Sequence, residues 1–261
     1  MMQQRIEEGR PISVGLLLLP QFSMMALASA SEPLRAANRL SGRKLYDWCL
    51  LSQEGGEISS SSGFETRTVS IDDAPHLDRL FVVASLDIES KRPKPILQFL
   101  RRQAVSGKPV GALSTGTFLL ARAGLLAGKR CTLHWESLPQ FAEEFPEIEV
   151  TRELYVRDDN RWTCAGGTAA IDLMLAQISG DYGAKLAADT AEQFLHTRIR
   201  GLKNISGWRS SGAMASTTPD LPRRSPSWSR ISNTSFRSMR LPREAAFPSA
   251  NWNASGISIS R

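Results

Sequence analysis

Ser114 and His134 are the residues of this chain whose types and setting could do chemistry together. Ser114 stands in V-G-A-L-S-T-G-T-F-L-L-A-R-A-G-L-L, Val110 to Leu126, where a short apolar strand breaks at Ser114-Thr115 and a helix restarts at Gly116. A nucleophile at such a corner has its hydroxyl lifted clear of the sheet, and small neighbours such as Ala112 and Gly116 let the turn close. A nearby imidazole would take the hydroxyl proton, provided a third group orients the ring and two backbone amides stabilise the oxyanion. No third group is evident. The remaining histidines, His76 and His196, fall in a loop after a proline and on a terminal helix. Small residues also suit a corner that merely packs, so the stretch alone fits a structural role as well as a catalytic one.

The other chemistry-bearing types point nowhere specific. Cys49, Cys131 and Cys164 stand singly, with no C-x-x-C pair to suggest a disulfide framework or a zinc site. Buried free thiols are expected, and neither a metal nor a cofactor.

The elements that must position Ser114 and His134 alternate in type. Ser13 to Leu19 is a continuous apolar run of strand length, and Met24 to Leu40 places Leu27, Ala30, Leu34 and Ala37 on one side of a helix. Tyr46 to Leu51 and Leu80 to Ala84 are further strands. Pro93 to Val105 is an amphipathic helix stopped by Ser106-Gly107. K-R-C-T-L-H-W predicts a strand ending at His134, followed by a helix from Glu136 to Phe145. Ile148 to Tyr155 and Arg161 to Ala165 flank Asp158-Asp159-Asn160, good hairpin-turn chemistry for a two-strand ribbon. Gly166-Gly167 then opens a helix through Ile178, and after a Gly180 to Gly183 break another runs from Ala184 to about His196. Continuous apolar strands separated by helices imply a mostly parallel sheet covered on both faces, a three-layer α/β fold. Ligands bind such sheets at the carboxyl ends of the strands. Ser114 and His134 both fall there.

The 261 residues suffice for one domain of about 180 to 200 residues plus an appendage. No run reaches the roughly 18 apolar residues of a membrane span, so a cytoplasmic protein without a membrane partner is expected. The formal charge of +6 divides unevenly: from Gly201 onward there are nine Lys and Arg against Asp220 and Glu244, and the remainder is nearly neutral. Overall basicity is therefore no argument for nucleic-acid binding by the body.

A set of segments carries a resemblance. The first strand with its P-Q-F, S-E-P-L-R-A-A-N at 31–38, G-A-L-S-T-G-T-F-L-L-A-R-A-G-L-L, T-L-H-W, W-T-C-A-G-G-T-A-A-I-D-L-M-L and F-L-H-T-R-I-R together resemble the sensor domain of GlxA-type regulators. Those are AraC-family transcriptional regulators whose sensor is similar to PfpI-type proteins of the class I glutamine amidotransferase superfamily. The resemblance covers about residues 10–200 and implies a flavodoxin-like sandwich, a small-molecule effector, pairing into a homodimer, and operator binding by a C-terminal helix-turn-helix domain. It implies that Ser114 holds the elbow position, cysteine in PfpI-type enzymes. The enzymes' carboxylate just after the first strand is missing from F-S-M-M-A at 22–26. Their glycines after the third strand are replaced by Ala84 and Ser85, and the histidine after their nucleophile by Thr115. A serine hydroxyl without a base stays protonated at neutral pH. Ser114 is thus expected to line a ligand pocket with Thr115 and His134, walled by Phe22 and Trp135. The alternative is a PfpI-like hydrolase or amidase acting through Ser114 and His134.

Residues 201–261 depart from that pattern. Fourteen serines and five prolines spread through them leave no amphipathic helical stretch. A disordered basic tail is expected, either an altered reading of a helix-turn-helix segment or a natural basic tail, and sequence-specific DNA binding is not expected of this chain.

Overall fold

The computed structural model describes residues 10–88, 93–196 and Arg200. The chain runs β1 (Ile12–Leu18), α1 (Met24–Ser41), β2 (Tyr46–Ser52), β3 (Glu54–Ser59), β4 (Glu65–Ser70), β5 (Arg79–Val83), α2 (Lys94–Val105), β6 (Val110–Leu113), α3 (Thr117–Arg122), β7 (Arg130–Thr132), α4 (Leu138–Glu144), β8 (Glu149–Thr151), β9 (Tyr155–Asp158), β10 (Arg161–Cys164), α5 (Ala169–Tyr182) and α6 (Ala184–Gln193). Eight strands form one sheet in the order β3-β4-β2-β1-β5-β6-β10-β9. From β4 to β10 every neighbouring pair is parallel, and the two edge strands, β3 and β9, are antiparallel. The flavodoxin-like three-layer fold read from the sequence is the fold observed.

The strand period explains why β1 is apolar throughout. Val14, Leu16 and Leu18 point into the core shared with α1 and α5, while Leu17 and Leu19 point into the one under α2, α3 and α4. Helix α1 begins where the Ser23 hydroxyl accepts from the Ala26 amide and ends at Gly42, left-handed at φ 65°. Among the described residues no helix is long and apolar enough to cross a membrane.

The structure differs from the sequence reading in four places. The hairpin β3–β4 was not anticipated, because E-G-G-E-I-S and E-T-R-T-V-S lie at an edge and alternate without an apolar face. Ile148 to Tyr155 is not one strand. The Thr132 hydroxyl lies 3.1 Å from the Thr151 carbonyl and 2.7 Å from that of Glu153, drawing this segment to β7. β7 and β8 therefore form a separate two-stranded sheet, and the ribbon is β9–β10. β7 itself ends at Thr132, two residues short of His134. Helix α5 runs through Gly180 and stops at Gly183, whose φ of 96° a side chain resists. The expectations for residues 201–261 lie outside the described residues.

Candidate functional site

β6 delivers the chain to the C-terminal edge of the sheet and turns it there. Leu113 is extended, Ser114 is left-handed at φ 59°, and a single 3-10 turn over Ser114–Gly116 leads into α3. A non-glycine residue at positive φ is held only where its surroundings over-determine it. Two glycines supply those surroundings. A Cβ on Gly116 would lie 2.8 Å from the Val82 carbonyl oxygen on β5, so only glycine lets the turn sit this close to the sheet. Gly166, itself at φ 88°, brings the loop after β10 against Ser114.

Hydroxyls tie the elbow to its neighbours. Thr115 donates to the Ser85 carbonyl at 2.5 Å, fixing the turn to the loop after β5. Thr117 donates to the Thr132 carbonyl at 2.9 Å, and the Thr132 amide donates to the Thr163 hydroxyl at 2.9 Å. Elbow, β7 and β10 are thus linked by hydrogen bonds.

Ser114 is 5% exposed, and its hydroxyl is hydrogen-bonded to no described residue. Among those residues no buried side-chain polar atom lacks a partner, so the Ser114 Oγ must reach space open to water. It is a hydrogen-bonding group with capacity unspent. His134 does not serve it. The imidazole is half-exposed, its Nδ1 sits 3.7 Å from a Glu136 carboxylate oxygen, and its ring leans on Trp135 with centroids 5.9 Å apart.

The five residues named from the sequence are therefore not brought together as one lining. Thr115 is committed to the Ser85 carbonyl. Phe22 is fully buried in the core shared with α1 and α5, and Trp135 is 47% exposed. Ser114, His134 and Trp135 keep surface to offer.

A cavity of about 590 Å³ opens elsewhere along the same sheet edge. Leu18, Leu19 and Pro20 at the end of β1, Ile58 on β3, and Pro93 and Ile96 at the start of α2 give it apolar walls, and Glu54 and Glu57 add carboxylates. None of the five sequence-named residues lines it. Part of its wall comes from the β3 edge, which carries no apolar periodicity, so nothing in the sequence marked it.

A second group escaped notice. Asp172, in the first turn of α5, is fully buried, and His196 and Arg200 donate to it. The visible signal was a lone carboxylate in the apolar run A-A-I-D-L-M-L. Cys131 and Cys164 are buried thiols, each pushed up to about 12, with burial the main cause in both. Cys49 is half-buried and also raised, by burial and by Asp47. Among the described residues no group of three or more His, Cys, Asp or Glu is placed to hold a metal ion.

Comparison with known proteins places this geometry. Residues 17–179 match the DJ-1/PfpI family. The chain is 43% identical over 195 residues to the HTH-type transcriptional regulator GbdR of Pseudomonas aeruginosa, covering 74% of this chain and 53% of that protein. It is 36% identical over 188 residues to the HTH-type regulator GlxA of Rhizobium meliloti, covering 71% and 58%. An isonitrile hydratase of Pseudomonas putida is 29% identical over 168 residues, covering 63% and 69%. Among solved structures, an AraC family transcriptional regulator from Pseudomonas putida superposes with a TM-score of 0.65 at 29% identity, covering 70% of this chain and all of that one. The chain spans little more than half the length of the regulators it matches.

Proposed function

This chain belongs to the DJ-1/PfpI family, and on that footing we propose that its α/β domain is the non-catalytic, ligand-sensing part of an AraC-type transcriptional regulator. The effector is a small molecule received at the C-terminal edge of the parallel sheet. One observation carries the reading: the elbow holds Ser114 in a left-handed turn with its hydroxyl unbonded, and no described base stands within hydrogen-bond reach of it. Without a base the hydroxyl keeps its proton and donates a hydrogen bond rather than attacking.

The names of the relatives support this. The two regulators match at higher identity than the hydratase does. We assign effector contact to Ser114, with His134 and Trp135 beside the elbow and the β1–β3 cavity further along the same edge. Thr115 and Phe22 act through the fold. A cytoplasmic homodimer is part of the proposal. Recognition of an operator is assigned to no described residue.

The test begins with a thermal-shift screen of small nitrogenous metabolites and carboxylates, because a ligand that binds only the folded state raises the melting temperature. Ser114→Ala should then weaken binding of the hit by about 1 kcal/mol, the net value of one hydrogen bond, and leave any turnover of a model ester unchanged. A hundredfold fall in ester turnover with binding intact would make Ser114 a nucleophile and the chain a hydrolase.

A further inference from the structure

Asp172 has no exposed surface, and its partners lie after α6. Its Oδ1 accepts from the His196 Nε2 at 3.0 Å and from the Arg200 amide at 2.7 Å. Its Oδ2 accepts from the Arg200 Nε at 3.0 Å and Nη2 at 2.8 Å. The same Nη2 donates to the Thr168 hydroxyl at 3.1 Å. A carboxylate this deep is tolerated because every lone pair is met by a donor, two of them on a cation. All of these donors come from residues 196 and 200, beyond α6.

The other side of Thr168 leads to the elbow. Gly166 and Gly167 immediately precede it, both left-handed at φ 88° and 55°, and Gly166 packs on the Ser114 side chain with no room for a Cβ between them. Contact thus runs without a gap from the Ser114 hydroxymethyl group to the Gly166-Gly167 loop, to the first turn of α5, to Asp172 and out to Arg200. The path is packed where Gly166 meets Ser114, covalent from Gly166 to Thr168, and hydrogen-bonded from Thr168 and Asp172 to Arg200.

We infer that Asp172 is a positioning residue that couples the Ser114 site to Arg200. An occupant that engages Ser114 and shifts the Gly166-Gly167 loop moves the carboxylate, and with it the clasp on Arg200. By linkage, whatever displaces Arg200 changes the affinity at Ser114 by the same factor. The inference rests on the sensor reading for its purpose, but the coupling itself needs no effector to be measured.

Amide hydrogen exchange on the full chain tests it, read at the Arg200 amide, which Asp172 protects. Ser114→Asn puts a larger side chain against Gly166 with a residue type that accepts a left-handed backbone. It should raise exchange at Arg200 at least tenfold. The Ile12 amide, bonded to the Leu45 carbonyl at 2.8 Å at the far end of the sheet, should keep its rate. Asp172→Asn should raise Arg200 exchange by itself, and adding Ser114→Asn should then bring no further increase, the non-additivity expected of one shared path. If Asp172→Asn does not fold, Arg200→Ala serves, since it keeps the amide and removes the guanidinium. Exchange at Arg200 that responds to Asp172→Asn and ignores Ser114→Asn would reduce the clasp to a structural anchor and overturn the inference. Coupling without any effector in the screen would count against the sensor reading alone.

Discussion

A Cβ built on Gly166 would lie 2.6 Å from the Ser114 Cβ and 3.0 Å from its Oγ. Real Cβ atoms do not approach so closely, so the loop after β10 and the elbow after β6 can meet only because residue 166 has no side chain. Gly166→Ala meets two penalties, the strain of a left-handed alanine at φ 88° and an overpacked contact. Together they should lower stability by about 2 to 4 kcal/mol. Gly167→Ala is the control: φ is 55° and nothing lies within 4 Å of its Cβ position. It should cost only about 1 kcal/mol. Urea denaturation of both variants checks this, and equal losses would mean that the close approach is not what excludes a side chain.

The cysteines should be inert in the folded protein. Burial pushes the Cys131 and Cys164 thiols up to about 12, which leaves on the order of one thiolate in ten thousand at pH 8. Titration with a chromogenic disulfide reagent should find no fast thiol in the native chain, slow reaction at half-buried Cys49, and three equivalents in urea. A native thiol that reacts as fast as free cysteine would contradict the burial described and supply a nucleophile that Ser114 does not.

The sheet was legible because β1, β5 and β6 are buried on both faces, which forces an unbroken apolar run that no solvated segment would carry. The elbow was legible for a related reason, since a sharp corner beside the sheet selects small residues at Ala112 and Gly116. The hairpin β3–β4 was not, because edge strands facing water need no apolar period, and with it went the cavity wall at Ile58 and Glu57. Nor was the pairing of Ser114 with His134 decidable from spacing. Ser114 follows β6 of the main sheet while His134 follows β7 of the separate two-stranded sheet, and where β7 stops and which way the His134 ring turns depend on Thr132, Thr151 and Glu136, contacts made across the fold. Asp172 shows the converse: a carboxylate alone in an apolar run is a sign of burial that went unread, and its partners lie 24 and 28 residues away.

At the N-terminal edge of the sheet, Arg79 and Asp181 form a pair that should be indispensable. The guanidinium meets both carboxylate oxygens at 2.6 Å and Gln177 at 2.9 Å, and it lies over Trp162. Tyr46 donates its hydroxyl to the same carboxylate at 2.7 Å. Burial opposes the charge on Arg79, but Asp181 more than offsets it and the side chain stays protonated. Asp181→Ala strands that cation and should cost about 3 to 5 kcal/mol in urea unfolding. Tyr46→Phe removes a single hydrogen bond to a charged group and should cost about 1.5 to 3 kcal/mol. If the double variant Arg79→Met, Asp181→Leu is as unstable as Asp181→Ala, the stranded charge is not the cause of the loss.

Asp78 makes stability depend on pH in a defined direction. Burial raises its carboxyl, but Arg10, paired at 2.6 and 2.8 Å, the Ser13 amide at 2.9 Å and nearby His76 outweigh that and hold it below the ordinary value. A depressed carboxyl contributes stability that is fully present above the unfolded value, about 3.9, and is lost as pH falls through the folded value. Arg10→Gln removes the largest of the lowering influences. Because the Arg10 side chain is 40% exposed, solvent screens the pair, and the loss at pH 7 should be no more than about 1 kcal/mol. That difference should persist down to about pH 5, shrink between there and pH 3, and shrink at pH 7 when salt is raised to about 1 M. Urea unfolding of both proteins across that range is the measurement. A deficit that stays constant from pH 7 to pH 3 would mean that Arg10 acts through packing and not through the charge on Asp78.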